Sequence, residues 1–278
     1  MQLSCSVWIF RKEYMDHKDF AIRMAKQAGE ILKRDFSFGL KKEWKKDESV
    51  VTQTDIEINK MIIAEVKKNF PNYGVLSEEA SHLHKKDSLW VCDPIDGTIP
   101  FAHGIPTFTF SLALVQKGQP KLGVIYDPFM DRLYYGEKGK GAFLNDKKIE
   151  VSKDSNIYRK LIEVESWQQA PYQLPGFVQK IEKDGAIFID LCSFAYCGAL
   201  IASGEMIGGV CSGAQAHDIA AAKIIVEEAG GKVTDLYGQE QRFDKEDIKG
   251  SIISNGSVHD YLIEQASDLI VTKKSTKL

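Results

Sequence analysis

Apolar positions along this chain follow two spacings, and the change from one to the other marks its organisation. From Lys18, the residues Phe20, Met24, Ala28, Ile31 and Leu32 recur at helical spacing until the irregular Phe36-Ser37-Phe38-Gly39 ends the run. A second helical pattern, Ile56, Ile58, Met61, Ile62 and Val66, opens at Thr52-Gln53-Thr54-Asp55 and stops at Phe70-Pro71. Strand-like runs follow at Val75-Leu76, Leu89-Trp90-Val91-Cys92, 107–115, 121–126 and 132–135. The turns that separate the later runs, Lys-Gly-Gln-Pro and Asp-Pro-Phe-Met-Asp, predict an antiparallel meander. Gly136 to Gly141 reads as a hairpin turn, because it lacks the Ser/Thr after Lys and the following helix that a phosphate-cradling loop needs. Residues 149–170 are polar and ambiguous, and a lobe boundary is set at 152–158. Beyond it, strands at 186–189 and 206–211 alternate with helices at 193–203 and 219–229, the last capped by Gly230-Gly231, which favours an α/β lobe. The predicted organisation is an N-terminal extension at 1–17, an α+β lobe at 18–155 and an α/β lobe at 156–278.

Composition narrows the function. With 278 residues, 44% apolar and 27% charged, the chain can bury a large core, and its net charge of −3 gives no reason to expect nucleic-acid or membrane-surface binding. An anionic substrate therefore needs a local positive device. The charged stretch at 41–48 reads as a solvated loop, with the alternative that a lysine there swings over a site. No apolar run approaches the ~18 residues of a membrane helix. Residues 4–10 are too short, and lack the basic leader, for a signal peptide, so a cytoplasmic protein is expected. Five cysteines, Cys5, Cys92, Cys192, Cys197 and Cys211, lie among apolar neighbours without metal-like pairing and read as reduced, mostly buried thiols.

The candidate chemistry sits where the run ending at Cys92 enters Asp93-Pro94-Ile95-Asp96-Gly97-Thr98. Pro94 fixes its own φ and Gly97 lets the chain fold back, so Asp93, Asp96 and the Ile95 carbonyl can face one point. Hard oxygen donors so close in sequence suit Mg²⁺. Each acidic residue has an ordinary reading when taken singly: a turn for Asp93 and Asp96, a helix cap for Asp55 and Asp218, surface charge for Glu78 and Glu79, and a structural role for His217. Taken together, Asp55, Glu78, Asp93, Asp96 and Asp218 all stand at ends of regular elements, where loops gather into a site.

The strings Thr52-x-Thr54-Asp55, Ser77-Glu78-Glu79, Trp90-Val91-Cys92-Asp93-Pro94-Ile95-Asp96-Gly97-Thr98 and His217-Asp218, with Glu228-Ala229-Gly230-Gly231, resemble the inositol monophosphatase family from about Lys18 to Asn255. That resemblance implies a layered αβαβα sandwich of the inositol monophosphatase and fructose-1,6-bisphosphatase type, and a Mg²⁺-dependent, lithium-sensitive phosphomonoesterase. It further implies that Glu78, Asp93 and the Ile95 carbonyl hold one ion, and that Asp93, Asp96 and Asp218 hold a second. Thr98 and Asp55, with Glu78 beside them, then serve catalysis by activating water. The Gly97 and Thr98 N–H groups hold the phosphate, and Asp96 and Asp218 also face the substrate. The implied partner is a small phosphorylated metabolite, and dimers are common in the family.

Departures from the family pattern fall on the substrate side. His217 stands where inositol-phosphate enzymes carry Trp, and Cys211 stands where they carry Glu. Ile189-Asp190-Leu191-Cys192-Ser193 replaces an Arg-Ser-x-Gly-like stretch. The mobile-loop lysine of the family has candidates in Lys42, Lys45 and Lys46. Inositol monophosphate is the conventional substrate, with histidinol phosphate, fructose 1,6-bisphosphate and 3′-phosphoadenosine 5′-phosphate as alternatives. The reading from another class is a catalytically weak homologue that binds a phosphorylated metabolite as a regulator.

Overall fold

The computed structural model describes residues 15–267 apart from 38–40, 45–49, 83–86, 168–169, 175, 246–247 and 249. Helix α1 (His17–Asp35) buries Phe20, Met24, Ala28 and Leu32, the stripe its spacing predicts, and ends with Lys33 and Arg34 complementing its dipole. Within the stretch read as a solvated loop, residues Lys42–Trp44 form strand β1, antiparallel to β2 (Val50–Thr52). Its Glu43 and Trp44 remain exposed. Helix α2 (Gln53–Asn69) starts with a capping box in which Thr52 and Asp55 satisfy each other's free N–H groups.

The strands β3 (Gly74–Ser77), β4 (Ser88–Asp96), β5 (Thr109–Gln116), β6 (Gln119–Asp127), β7 (Arg132–Glu137), β8 (Gly141–Leu144) and β9 (Lys147–Ile149) pair in that order in one sheet. β3 is parallel to β4, and the rest is the antiparallel meander. Side chains alternate between faces. Trp90, Cys92, Phe110, Leu112, Leu114 and Val124 pack on α1 and α2, whereas Val91, Ala113, Val115 and Ile125 face the other way. Because both faces are covered, the central strands read as continuous apolar runs.

The opposite face is covered by α5 (Phe194–Ala202) and α6 (Ala216–Glu228). A Cβ on Gly123 would come within 2.8 Å of the Ala221 backbone, so glycine there lets α6 lie close to the sheet. The second sheet has the order β11 (Ile187–Ile189), β10 (Leu161–Glu165), β12 (Gly208–Cys211), β14 (Ser251–Ser254), β13 (Lys232–Thr234). Its far side carries α4 (Phe177–Lys183) and α7 (His259–Ser267). The layers therefore run α, β, α, β, α, as the resemblance implied. The five-residue helix α3 (Thr98–Ala102) follows β4 directly. Among the described residues no helix is long and apolar enough to cross a membrane.

Candidate metal centre and active site

Strand β4 delivers two aspartates to one point through an irregularity in its pairing. Asp93 lies opposite Ser111 and Asp96 opposite Thr109, so β4 spends one more residue than β5 over that interval. In a regular strand, residues three apart point to opposite faces; the extra residue cancels that reversal. Carboxylate oxygens of Asp93, Asp96 and Asp218 consequently lie within 4.8 Å of one another. Asp93 Oδ1 accepts the Ile95 N–H at 3.0 Å, which holds the loop closed. Gly97 then takes φ +97°, and a Cβ there would meet the Thr107 carbonyl at 2.8 Å, so this turn admits only glycine without strain.

Asp218 sits in the first turn of α6, not at its N-cap as the sequence reading had it. Gln215 is the N-cap, and Asp218 Oδ2 accepts the Gln215 N–H at 2.6 Å. The helix starts earlier because Ala216 continues the buried face. Asp96 reaches across to the central helical layer. Its Oδ2 accepts the Ser193 hydroxyl, the Ala195 N–H at 3.0 Å and the Tyr196 N–H at 3.3 Å, so it caps α5 from another sheet.

A second group forms on the α2 side. Oxygens of Asp55, Glu78 and Glu79 lie within 4.8 Å of one another, which adds Glu79 to the residues expected from the sequence. Asp55 is fully buried. Its Oδ2 accepts the Thr52 N–H at 2.8 Å and the Thr52 hydroxyl at 2.6 Å, while Oδ1 faces the Thr98 hydroxyl at 3.3 Å. Thr98 Oγ1 also lies 2.9 Å from the Ile95 carbonyl, so that oxygen is at the junction of the two groups. His217, read from sequence as structural, instead brings a ring nitrogen within 4.8 Å of oxygens of Glu78 and Asp93.

Burial and mutual repulsion push these carboxyls up. Desolvation is the largest cause for Asp55, pushed up to about 7 against the opposing Thr52 hydrogen bonds, with Glu78 and Glu79 adding repulsion. Asp96 is also pushed up to about 7, first by burial and then by Asp218, while Ser193 and the α5 N–H groups pull it down. Asp93 is raised well above the usual range by burial and by Glu78, Asp96 and Asp218. Such a site favours a divalent cation that compensates the charge, and the grouped Asp93, Asp96 and Asp218 oxygens suit a hard one.

Other expected residues fall out differently. Lys42 Nζ lies 2.6 Å from His103 Nε2, whose Nδ1 is 2.8 Å from the Ile99 carbonyl, so β1 is tied to α3. Lys45 and Lys46 lie outside the described residues. Cys211 is buried in β12, opposite Glu165 of β10. Strand β10 was missed in the polar segment, and with it Glu163 and Glu165. Each has a buried Oε2 without a hydrogen-bond partner, and Glu163 Oε1 accepts the Leu191 N–H at 3.3 Å. Burial pushes Glu163 up to about 8 and Glu165 well above its usual range. The strict alternation Leu161-Ile162-Glu163-Val164-Glu165 was the available signal, but it reads equally as a half-exposed strand.

The sequence profile of the inositol monophosphatase family matches residues 15–270. A fructose-1,6-bisphosphatase/inositol-1-monophosphatase of Thermotoga maritima is 36% identical over 261 residues, covering 92% of this chain and 98% of its own. Inositol monophosphatase 1 of Bos taurus is 32% identical, with 79% of this chain and 83% of that protein aligned. Among solved structures, an IMPase of Thermotoga maritima superposes with a TM-score of 0.83 at 35% identity, over 92% of this chain and 98% of that one.

Proposed function

Because the chain belongs to the inositol monophosphatase family, a family of phosphoric monoester hydrolases, we propose that it hydrolyses a small phosphorylated polyol or sugar with Mg²⁺ held by Glu78, Asp93, the Ile95 carbonyl, Asp96 and Asp218. The observation that carries this reading is the convergence of Asp93, Asp96 and Asp218 from β4 and α6, next to the Thr98–Asp55 pair. Divalent ions, when bound there, would neutralise charge on the attacking and leaving oxygens and would make water acidic enough to react at neutral pH.

The chain's own groups do the remaining work. Thr52 occupies Asp55 Oδ2 with two donors, so the proton of the neutral acid belongs on Oδ1, toward Thr98. Thr98 in turn donates to the Ile95 carbonyl or to Asp55. The pair can therefore orient a water, and Asp55, once ionised, can take its proton. The Gly97 and Thr98 N–H groups at the start of α3 hold phosphate oxygens. A pure binder would have no use for this proton-accepting pair, which favours turnover over a regulatory role.

On the substrate side, the buried Cys211 thiol is a weak partner for a hydroxyl, and the carboxylate beside it is that of Glu165. We expect myo-inositol 1-phosphate to be a mediocre substrate, with fructose 1,6-bisphosphate among the better ones, in keeping with the dual name of the Thermotoga relative. Phosphate release from inositol 1-phosphate, fructose 1,6-bisphosphate, histidinol phosphate, glycerol 2-phosphate and 3′-phosphoadenosine 5′-phosphate, with and without Mg²⁺, tests both statements. No release from any ester overturns the activity. An inositol phosphate kcat/KM that leads the panel by about tenfold or more, the scale of one hydroxyl contact, overturns the substrate reading alone.

A further inference from the structure

We propose that His217 is a nitrogen ligand in this metal centre, and that it tilts the site from Mg²⁺ toward a borderline first-row divalent ion such as Mn²⁺, Co²⁺ or Zn²⁺. The inference rests on the metal-centre reading above and adds a donor to it. Oxygens of Glu78 and Asp93 and one ring nitrogen of His217 lie within 4.8 Å of one another, a span that a single ion can bridge. The ring is not free to turn away. Its side chain is only 11% exposed, and Nε2 lies 3.3 Å from Asp218 Oδ1.

Nδ1 is buried and has no hydrogen-bond partner. A buried ring nitrogen without a partner loses its hydration and gains nothing in return. A ring whose unprotonated nitrogen faces the Glu78 and Asp93 oxygens offers an ion a lone pair there. Backbone geometry supports the fixed position, since the Ser111 hydroxyl donates to the His217 carbonyl at 3.5 Å and ties the first turn of α6 to β5.

The chemical consequence follows from donor type. Mg²⁺ prefers oxygen and gains little from imidazole, whereas Mn²⁺, Co²⁺ and Zn²⁺ bind mixed nitrogen and oxygen sets with increasing strength. Two carboxylates and one imidazole leave open positions for water and a phosphate oxygen. The sequence reading assigned His217 a structural role; the residues that make it a candidate ligand come from β4 and from the loop after β3.

The test reads the ion's surroundings directly. Parent protein stripped of metal and loaded with Mn²⁺ is examined by pulsed electron spin resonance for ¹⁴N coupling, and Mg²⁺, Mn²⁺, Co²⁺ and Zn²⁺ affinities are measured by titration calorimetry for the parent, His217→Ala and His217→Gln. The expected result is a ¹⁴N coupling that both variants lose. Co²⁺ and Zn²⁺ affinity should fall by roughly tenfold or more, the scale for removing a supporting donor, with Mg²⁺ affinity little changed. Mn²⁺ binding without nitrogen coupling in the parent overturns the role of His217 and leaves the metal centre standing. No binding of any divalent ion overturns the centre itself. The spectrum of the parent decides the matter even where a variant fails to fold.

Discussion

Binding of a divalent ion at the proposed site should release protons, and the raised carboxyls set the scale. Asp55 and Asp96 are each pushed up to about 7 in the metal-free protein, so at pH 7 each is close to half-protonated. An ion beside them favours the ionised form, and its binding is in competition with those protons. If both carboxyls ionise on binding, the apparent affinity scales with the product of their ionised fractions, which rises roughly hundredfold between pH 6 and pH 8. If Asp96 alone were linked, the rise would be roughly tenfold. Asp93, raised by burial and four neighbouring carboxylates, adds in the same direction. Titration calorimetry in two buffers of different ionisation enthalpy gives the released protons, about one at pH 7 from Asp55 and Asp96 together, and the affinities at pH 6, 7 and 8 give the slope. Asp55→Asn removes one linked proton without removing a ligand, so it should flatten the profile toward tenfold. An affinity independent of pH over this range, or no proton release at pH 7, would refute the reasoning.

Three further outcomes are expected. Asp93→Asn should abolish turnover at any accessible Mg²⁺ while circular dichroism and melting show an intact fold, since its hydrogen bond is to its own loop; activity recovered at high Mg²⁺ argues that Asp93 bridges nothing. Thr98→Ala should lower kcat by about 10²-fold, the scale of a positioned proton-transfer group, with the Mg²⁺ requirement little changed; a large shift in Mg²⁺ affinity instead makes Thr98 part of the ion site. Glu163 holds its proton more tightly folded than unfolded, being pushed up to about 8 from 4.5, so its contribution to stability is full below pH 4.5, falls as pH rises to about 8 and is level beyond. Glu163→Gln should therefore match the parent in urea unfolding at pH 4.5 and exceed it at pH 8 by at most about 5 kcal/mol; a pH-independent difference would mean that the buried oxygen is solvated.

What the chain made legible was local. The Asp-Pro-Ile-Asp-Gly-Thr string announced its own turn, because Pro94 and Gly97 constrain the backbone whatever surrounds them. The apolar stripes of α1 and the runs of β4 to β6 announced the layers they pack between. Three features were not legible, and each depends on residues far apart in sequence. Asp96 caps α5 across nearly a hundred residues. Glu163 and Glu165 look like the polar face of a surface strand until β11 and β12 flank β10 and bury it. His217 becomes a candidate ligand only when α6 is laid against β4 and the loop after β3. Sequence periodicity reports whether a position faces inward; it does not report which polar groups share that interior.

The placement of Asp96 explains why the site lies where the two sheets meet through the central helices. One of its oxygens accepts N–H groups at the start of α5, where the helix dipole favours negative charge. Burial and Asp218 disfavour that same charge. The helix terminus thus keeps an otherwise costly anion accessible near neutral pH, leaving Oδ1 for a ligand on the far side. Asp218 stands at the corresponding first turn of α6, within the same helical layer. Two helix starts therefore hold two of the carboxylates, and the bulge in β4 presents a third, Asp93, to both. Asp93 owes only a loop contact to the fold and can be neutralised without disturbing the layers. Asp96 cannot: removing its charge withdraws the cap from α5 and, on the function proposed above, would take a donor from the ion in the same step. The proposed ion binding and the packing of the central helical layer would in that sense depend on a single side chain.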